Sequence, residues 1–330
     1  MTVLMVLALS FGLGFLGAFW VSKVGFRLGL ADIPGARSSH DRPVPKAGGI
    51  GIPLAVALSS MCLIRRGQFL AAVGLAMAAI AFINDRFEVS VRLRLALGLC
   101  LSAVLVAVLK KDMLLALFEV RDIAWLLGTG LFFTIFIAAA TNFFNFMDGI
   151  NGLAGLEAVL SLALFGLAAG LFKKSPEVLL LALSGAAAAA GFLLLNFPKA
   201  KVFMGDVGSI FSGFFFAGLA VFSAANIKEF LLLSLFQSVF YIDGLSTLLI
   251  RFVNREDILR PHKKHLYQKL VHESRWTHTK VTLVYGTVQA FIGLVGIALF
   301  QSGTLFLVLF WAILFVVYWS ILLRKKFLFV

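Results

Sequence analysis

The chain has 330 residues, 61% of them apolar and 14% charged, and its mean hydropathy of +1.01 lies far above what a water-soluble domain keeps exposed. That excludes a soluble enzyme. The net charge of +13 reads first as cytoplasmic loops facing anionic lipid and second as a site for anionic substrates; nucleic acid is not an expected partner.

A bilayer core about 30 Å thick takes roughly 20 apolar residues per helix. Apolar runs fall near residues 1–22, 48–64, 68–84, 95–109, 123–141, 153–172, 178–197, 207–223, 230–250, 281–300 and 304–323. They predict an all-α integral membrane protein, a polytopic bundle of about eleven transmembrane helices forming one domain over 1–330. The first run has no basic segment ahead of it and continues to Lys23, so it reads as a retained helix rather than a cleaved signal peptide. Segments after odd-numbered runs carry 21 Lys and Arg, against 8 after even-numbered runs. The positive-inside rule then puts the N-terminus outside and the C-terminus, with Arg324, Lys325 and Lys326, in the cytoplasm. The longest polar segment, 251–280, becomes a basic cytoplasmic loop. Cys62 and Cys100 lie in apolar runs and read as small core residues, which leaves no disulfide framework and no thiolate metal site.

The polar clusters all fall on the side that the charge asymmetry assigns to the cytoplasm. The first, Arg37 to Gly49, contains His40, Lys46 and paired glycines; the second is Asn84-Asp85-Arg86. The third runs from Asn142 to Gly152. Asn142, Asn145 and Asp148 recur every three residues, so on a helix they bring amide and carboxylate oxygens to one end of the fifth span; Gly149 and Gly152 then let the chain turn. Phe203-Met204-Gly205-Asp206-Val207-Gly208-Ser209 opens the eighth span. There a helix N-terminus with free N–H groups would attract phosphate, and Asp206 is suited to a hard cation such as Mg²⁺. The last cluster, Arg260 to Gln268, carries His262 and His265. With no cysteine near, it suits phosphate or sugar better than zinc. Asp243 is ionisable within the ninth span and is functional by default; Glu157 is either that or an interfacial acid.

Taken in order, these five segments resemble the polyprenyl-phosphate N-acetylhexosamine-1-phosphate transferase family, membrane enzymes of glycosyltransferase family 4 that include the bacterial phospho-N-acetylmuramoyl-pentapeptide transferase. The segment His262 to Gln268 is similar to the branch that initiates O-antigen synthesis. The resemblance implies transfer of an N-acetylhexosamine 1-phosphate from a UDP-sugar to undecaprenyl phosphate with release of UMP, at the cytoplasmic face of a bacterial inner membrane. It implies Mg²⁺, with Mn²⁺ as an alternative, and leaves a homodimer open. It also implies site roles. Asp206, Asp148 and Asn151 would hold the metal or position the pyrophosphate, and Asp85 would sit beside the attacking phosphate, making Asp85, Asp148 and Asp206 the catalytic acids. His40, Lys46, Asn84, Asn142, Asn145, Asn151, Asp243, His262 and His265 would contact substrate, and membrane lipid would surround the bundle. Two positions depart from the family: Asn84 stands where an Asp is usual, and Asn151 where bacterial members usually carry Asp. Since an acceptor phosphate has a second pKa of about 6, no base is needed, and Asn84→Asp is expected to be neutral. The competing expectations are the peptidoglycan-precursor enzyme itself and, from intramembrane Asp243 and Glu157, a multi-pass transporter or flippase.

Overall fold

The computed structural model describes residues 3–35, 42–61, 65–87, 89–109, 123–260 and 262–324. Each of the eleven apolar runs coincides with helix: α1 Val3–Val24, α2 Gly51–Ser60, α3 Arg65–Phe87, α4 Val91–Leu109, α5 Ile123–Phe146, α6 Leu153–Leu171, α7 Pro176–Asn196, α8 Gly205–Ser223, α9 Ile227–Leu235, α10 Ser238–Val253, α12 His278–Leu299 and α13 Thr304–Arg324. A short helix, α11 Leu266–His272, lies outside those runs.

By length and hydropathy alone, fewer helices qualify as full spans than there are apolar runs, and the difference lies in two places. Among the described residues nine helices are long and apolar enough to cross a membrane; α9 and α10 would make a tenth only as a pair bent by 87°. The described residues of the second run form a shorter apolar helix, Gly48–Ser60; residues 62–64 of that run lie outside the described residues. At the bend the backbone ladder is interrupted, and an unpaired N–H or C=O in hydrocarbon costs several kcal/mol. Gln289 of α12 removes that cost: its amide donates to the Leu235 carbonyl at 2.8 Å and accepts from the Val239 N–H at 3.1 Å.

Small residues bring the helices close, as expected where lipid offers no hydrophobic drive between them. The buried face of α1 is Val6, Ser10, Gly14, Ala18 and Val21, and a Cβ at Gly14 would overlap the Ala188 backbone of α7. A Cβ at Gly51 would likewise overlap Leu13, so α1, α2 and α7 form a close-packed trio. The centre of the bundle is α8. It is 83% buried, against 22% for α1 and 11% for α13, and it packs Phe211, Phe214, Phe215 and Phe216 out of reach of solvent and lipid. Cys100 is exposed rather than a core residue; Cys62 lies outside the described residues.

A two-residue antiparallel pair, β1 Ala31–Asp32 with β2 Val44–Pro45, ties the polar segment after α1 together. This segment then docks on the start of α8. Phe203 N–H donates to the Pro45 carbonyl, and the Gly48 and Gly49 N–H groups donate to Phe203 and Met204, all at 2.8–2.9 Å. The expected loop 251–280 is not one loop: α10 continues to Val253, α11 interrupts it and α12 begins at His278.

Candidate active site

The site grows from the first turn of α8. Gly205 has φ +71°, and a Cβ there would overlap the Ala47 backbone and approach the Asp85 carboxylate, so glycine is required by both conformation and space. Next to it, Asp206 and Val207 donate their N–H groups to the two carboxylate oxygens of Asp85, each at 3.0 Å. Asp85, 4% exposed on α3, therefore caps α8 from another helix. This refines two expectations. The Asp206 and Val207 N–H groups are taken by Asp85 rather than left for phosphate, and Asp85, besides lining the cavity, fixes where Asp206 stands.

The Asp206 carboxylate is held from three elements. Oδ2 accepts from Asn84 Nδ2 on α3 at 2.5 Å and from Arg94 Nη1 on α4 at 2.7 Å; Oδ1 accepts from Asn145 Nδ2 on α5 at 2.8 Å. The Asn145 amide also donates to Ser209 Oγ at 2.9 Å. Asn84 thus acts as a hydrogen-bond donor, a role that a carboxylate could not fill.

Asn84, Asp85, Asn145, Gly205 and Asp206 line a cavity of about 390 Å³ together with Asp32, Lys46, Asp148, Gly149, Asn196 and Gln268. Asp148 lies not on α5, which ends at Phe146, but in the turn that follows. Burial, and then the negative charges of Asp206, Asp85 and Asp32, push its carboxyl up to about 8. Asn196 closes this wall: it accepts from the Gly152 N–H at 2.8 Å and donates to the Val202 carbonyl at 3.0 Å, joining the turn after α5 to the segment before α8.

A second cavity of about 230 Å³ shares Asn145 and Gln268 with the first and adds Arg94, Asn142, Arg260, His262 and His265, with Val91, Leu95, Phe146, Ile258 and Leu259 as an apolar wall. The Asn142 amide donates to the Ala138 carbonyl of its own helix at 2.7 Å. Burial, together with the positive surroundings of His265 and Arg251, lowers His262 to about 3, so its ring is neutral at physiological pH.

Asp243 is placed differently from expectation. Wholly buried, it lines neither cavity; it accepts from His265 Nδ1 at 3.0 Å, the Leu266 N–H at 3.2 Å, Thr247 Oγ1 at 3.2 Å and Tyr285 OH at 2.9 Å. It anchors the histidine segment from beneath. Tyr267 adds a second tie through the Phe146 carbonyl at 2.9 Å. Buried Arg251 gathers the preceding turn by donating to the carbonyls of Asp257, Ile258 and Arg260. Asn151 also stands apart, its amide directed to the Pro198 carbonyl at 3.4 Å. His40 lies outside the described residues.

Residues that sequence reasoning missed are Asp32, Arg94, Asn196, Arg251 and Gln268. Arg94 had a signal: two arginines, Arg92 and Arg94, open the apolar run just after Asn84-Asp85. Gln268 closes the Arg260 to Gln268 cluster without having been singled out there, and Asp32, Asn196 and Arg251 belong to no cluster in the chain.

Among the described residues no three His, Cys, Asp or Glu side chains form a group that could hold a metal unaided. A closed zinc-type cage is therefore not what the site offers. Mg²⁺ asks less, one or two carboxylates with water and phosphate oxygens completing its shell. Asp148 and Asp206 fit that demand: burial is the main cause that raises Asp148, and the neighbouring carboxylates that add to it are negative charge that a cation would offset.

Residues 68–224 match the family described as glycosyl transferase family 4. The chain is 25% identical over 314 residues to the probable undecaprenyl-phosphate N-acetylglucosaminyl 1-phosphate transferase of Bacillus subtilis, covering 92% of this chain and 86% of that protein. It is 29% identical over 305 residues to the decaprenyl-phosphate N-acetylglucosaminephosphotransferase of Mycolicibacterium smegmatis, covering 81% and 74%. With the undecaprenyl-phosphate alpha-N-acetylglucosaminyl 1-phosphate transferase of Escherichia coli K12 it shares 30% identity over 213 residues, covering 59% and 56%.

Proposed function

We propose, from the premise that these matches support the polyprenyl-phosphate N-acetylglucosamine-1-phosphate transferase family, that the chain transfers an N-acetylhexosamine 1-phosphate, GlcNAc first among the candidates, from a UDP-sugar to undecaprenyl phosphate. The observation that carries this reading is the pair of neighbouring cavities that share Asn145 and Gln268, one walled by carboxylates and amides, the other by Arg94, Arg260 and two histidines beside an apolar wall. A lipid-linked acceptor demands a bilayer-embedded enzyme, and a nucleotide-sugar donor demands a water-facing polar chamber.

In this reading an oxygen of the acceptor phosphate attacks the sugar-bearing phosphorus of the donor. The bond from that phosphorus to the bridging oxygen breaks, and UMP leaves with the electron pair. The acceptor is already largely a dianion at neutral pH, so no side chain has to remove a proton. Catalysis is then a matter of holding two anions in line and cancelling their repulsion. Asp148 and Asp206 would hold Mg²⁺, which when bound supplies the charge cancellation. Lys46 and Arg94 bring fixed positive charge to the cavity walls, and Asn145 orients Asp206 from the wall that both chambers share. Neutral His262 suits a sugar hydroxyl better than a phosphate. The site would face the cytoplasm, where UDP-sugars are made.

The test is UMP release from purified protein, undecaprenyl phosphate and a panel of UDP-N-acetylhexosamines, with and without Mg²⁺. UDP-GlcNAc with Mg²⁺ should give turnover, and Asp206→Asn should lower it by at least about two orders of magnitude, the scale for removing one electrostatic transition-state contact. No UMP from any donor overturns the reading.

A further inference from the structure

We propose that Arg94 is a resident counter-charge on Asp206 that holds down the affinity of the site for a free divalent cation, with Asn84 as its companion donor. The proposal rests on the reading of Asp206 as a cation ligand. A carboxylate has about four lone-pair positions. Oδ2 of Asp206 has both of its positions filled by Asn84 and Arg94, while Oδ1 has one filled by Asn145. One lone pair on Oδ1 is left for a cation, and any cation there lies close to the guanidinium on the other oxygen. Like charges at that range, in a half-buried site, repel appreciably.

Arg94 is also not held as tightly as its charge allows. A guanidinium grips a carboxylate best with two parallel N–H donors, but here only Nη1 is engaged, and Nε is buried without a hydrogen-bond partner. The same side chain lines the second cavity, so it stands between the two chambers. A single-point grip of this kind neutralises Asp206 without locking it. The site then takes its cation most readily together with the phosphates that the cation bridges.

The experiment measures binding of Mn²⁺ alone to the detergent-purified full chain, by the loss of the free-ion electron paramagnetic resonance signal. Wild type, Arg94→Lys and Arg94→Met are compared, each with and without Asp206→Asn, with melting temperature as a check of folding. Arg94→Met should bind Mn²⁺ about tenfold tighter or more, Arg94→Lys should stay near wild type because it keeps the charge, and Asp206→Asn should remove the gain. Unchanged or weaker binding in folded Arg94→Met overturns the proposal, since a residue with only a packing role would leave or loosen the site. Tight Mn²⁺ binding that ignores Asp206→Asn overturns the cation reading of Asp206 itself. Should Arg94→Met fail to fold, Arg94→Gln gives the same comparison.

Discussion

At the scale of single residues, the departure at position 84 gains a physical meaning. Donation from Asn84 Nδ2 to Asp206 Oδ2 means that Asn84→Asp would replace a donor with a second carboxylate facing the first. The neutrality expected from the sequence concerns turnover; stability should carry a cost, since a hydrogen bond to a charged group contributes about 1.5–3 kcal/mol and repulsion adds to its loss. Asn84→Asp should melt at a lower temperature without divalent cation, and Mg²⁺ should restore more stability to it than to wild type. Equal melting of both proteins in EDTA would sink this account. His262 supplies a pH-dependent counterpart. Its folded pKa of about 3 lies below the ordinary 6.5, so between those values the unfolded chain binds the extra proton. Stability should therefore rise with pH across that window and level off above it. His262→Gln should flatten the slope of melting temperature against pH between about 4 and 6.5, measured in detergent.

Helices and turns show why the elements were legible and their joints were not. Hydrophobic runs are a property of composition, so each run coincided with helix; the bend between α9 and α10 depends on Gln289, some fifty residues away, and leaves no local trace. The turn at Gly205 is similar. Its glycine was visible in the sequence, but its φ of +71° and the approach of Ala47 and Asp85 were not. Gly205→Ala has to adopt a left-handed backbone, at about 1 kcal/mol or more, and also displace the Ala47 segment. The expected result is a fall in turnover larger than the fall in melting temperature, because the displaced segment carries Lys46 into the cavity. Full turnover in Gly205→Ala would show that the start of α8 tolerates movement.

For the whole molecule, the sequence located the ends of the helices that carry chemistry, and the fold brings those ends together. Lys46, Asn84, Asp85, Asn145, Asp148 and Asp206 were all legible as members of clusters, and all line one cavity. Asp243 was legible only as an unusual intramembrane acid; that it serves His265 rather than substrate depends on partners distant in the chain. Asp32 and Asn196 are single polar residues whose place comes from strand pairing and from a latch between two turns, so no pattern could expose them. Sidedness is a separate matter from assembly. Counted over the eleven apolar runs, the basic residues number 21 on one side and 8 on the other, and each juxtamembrane Lys or Arg near anionic lipid contributes about 1 kcal/mol, which predicts an oriented bundle. The cavity-bearing end carries Lys46, Arg94, Arg260 and Lys264, and by the positive-inside rule it is expected to face the cytoplasm. A cysteine introduced at Lys263, in a background freed of Cys62 and Cys100, should resist a membrane-impermeant maleimide in intact cells and react once the inner membrane is opened. Labelling in intact cells would invert the bundle and put the cavity on the wrong side for a nucleotide-sugar donor.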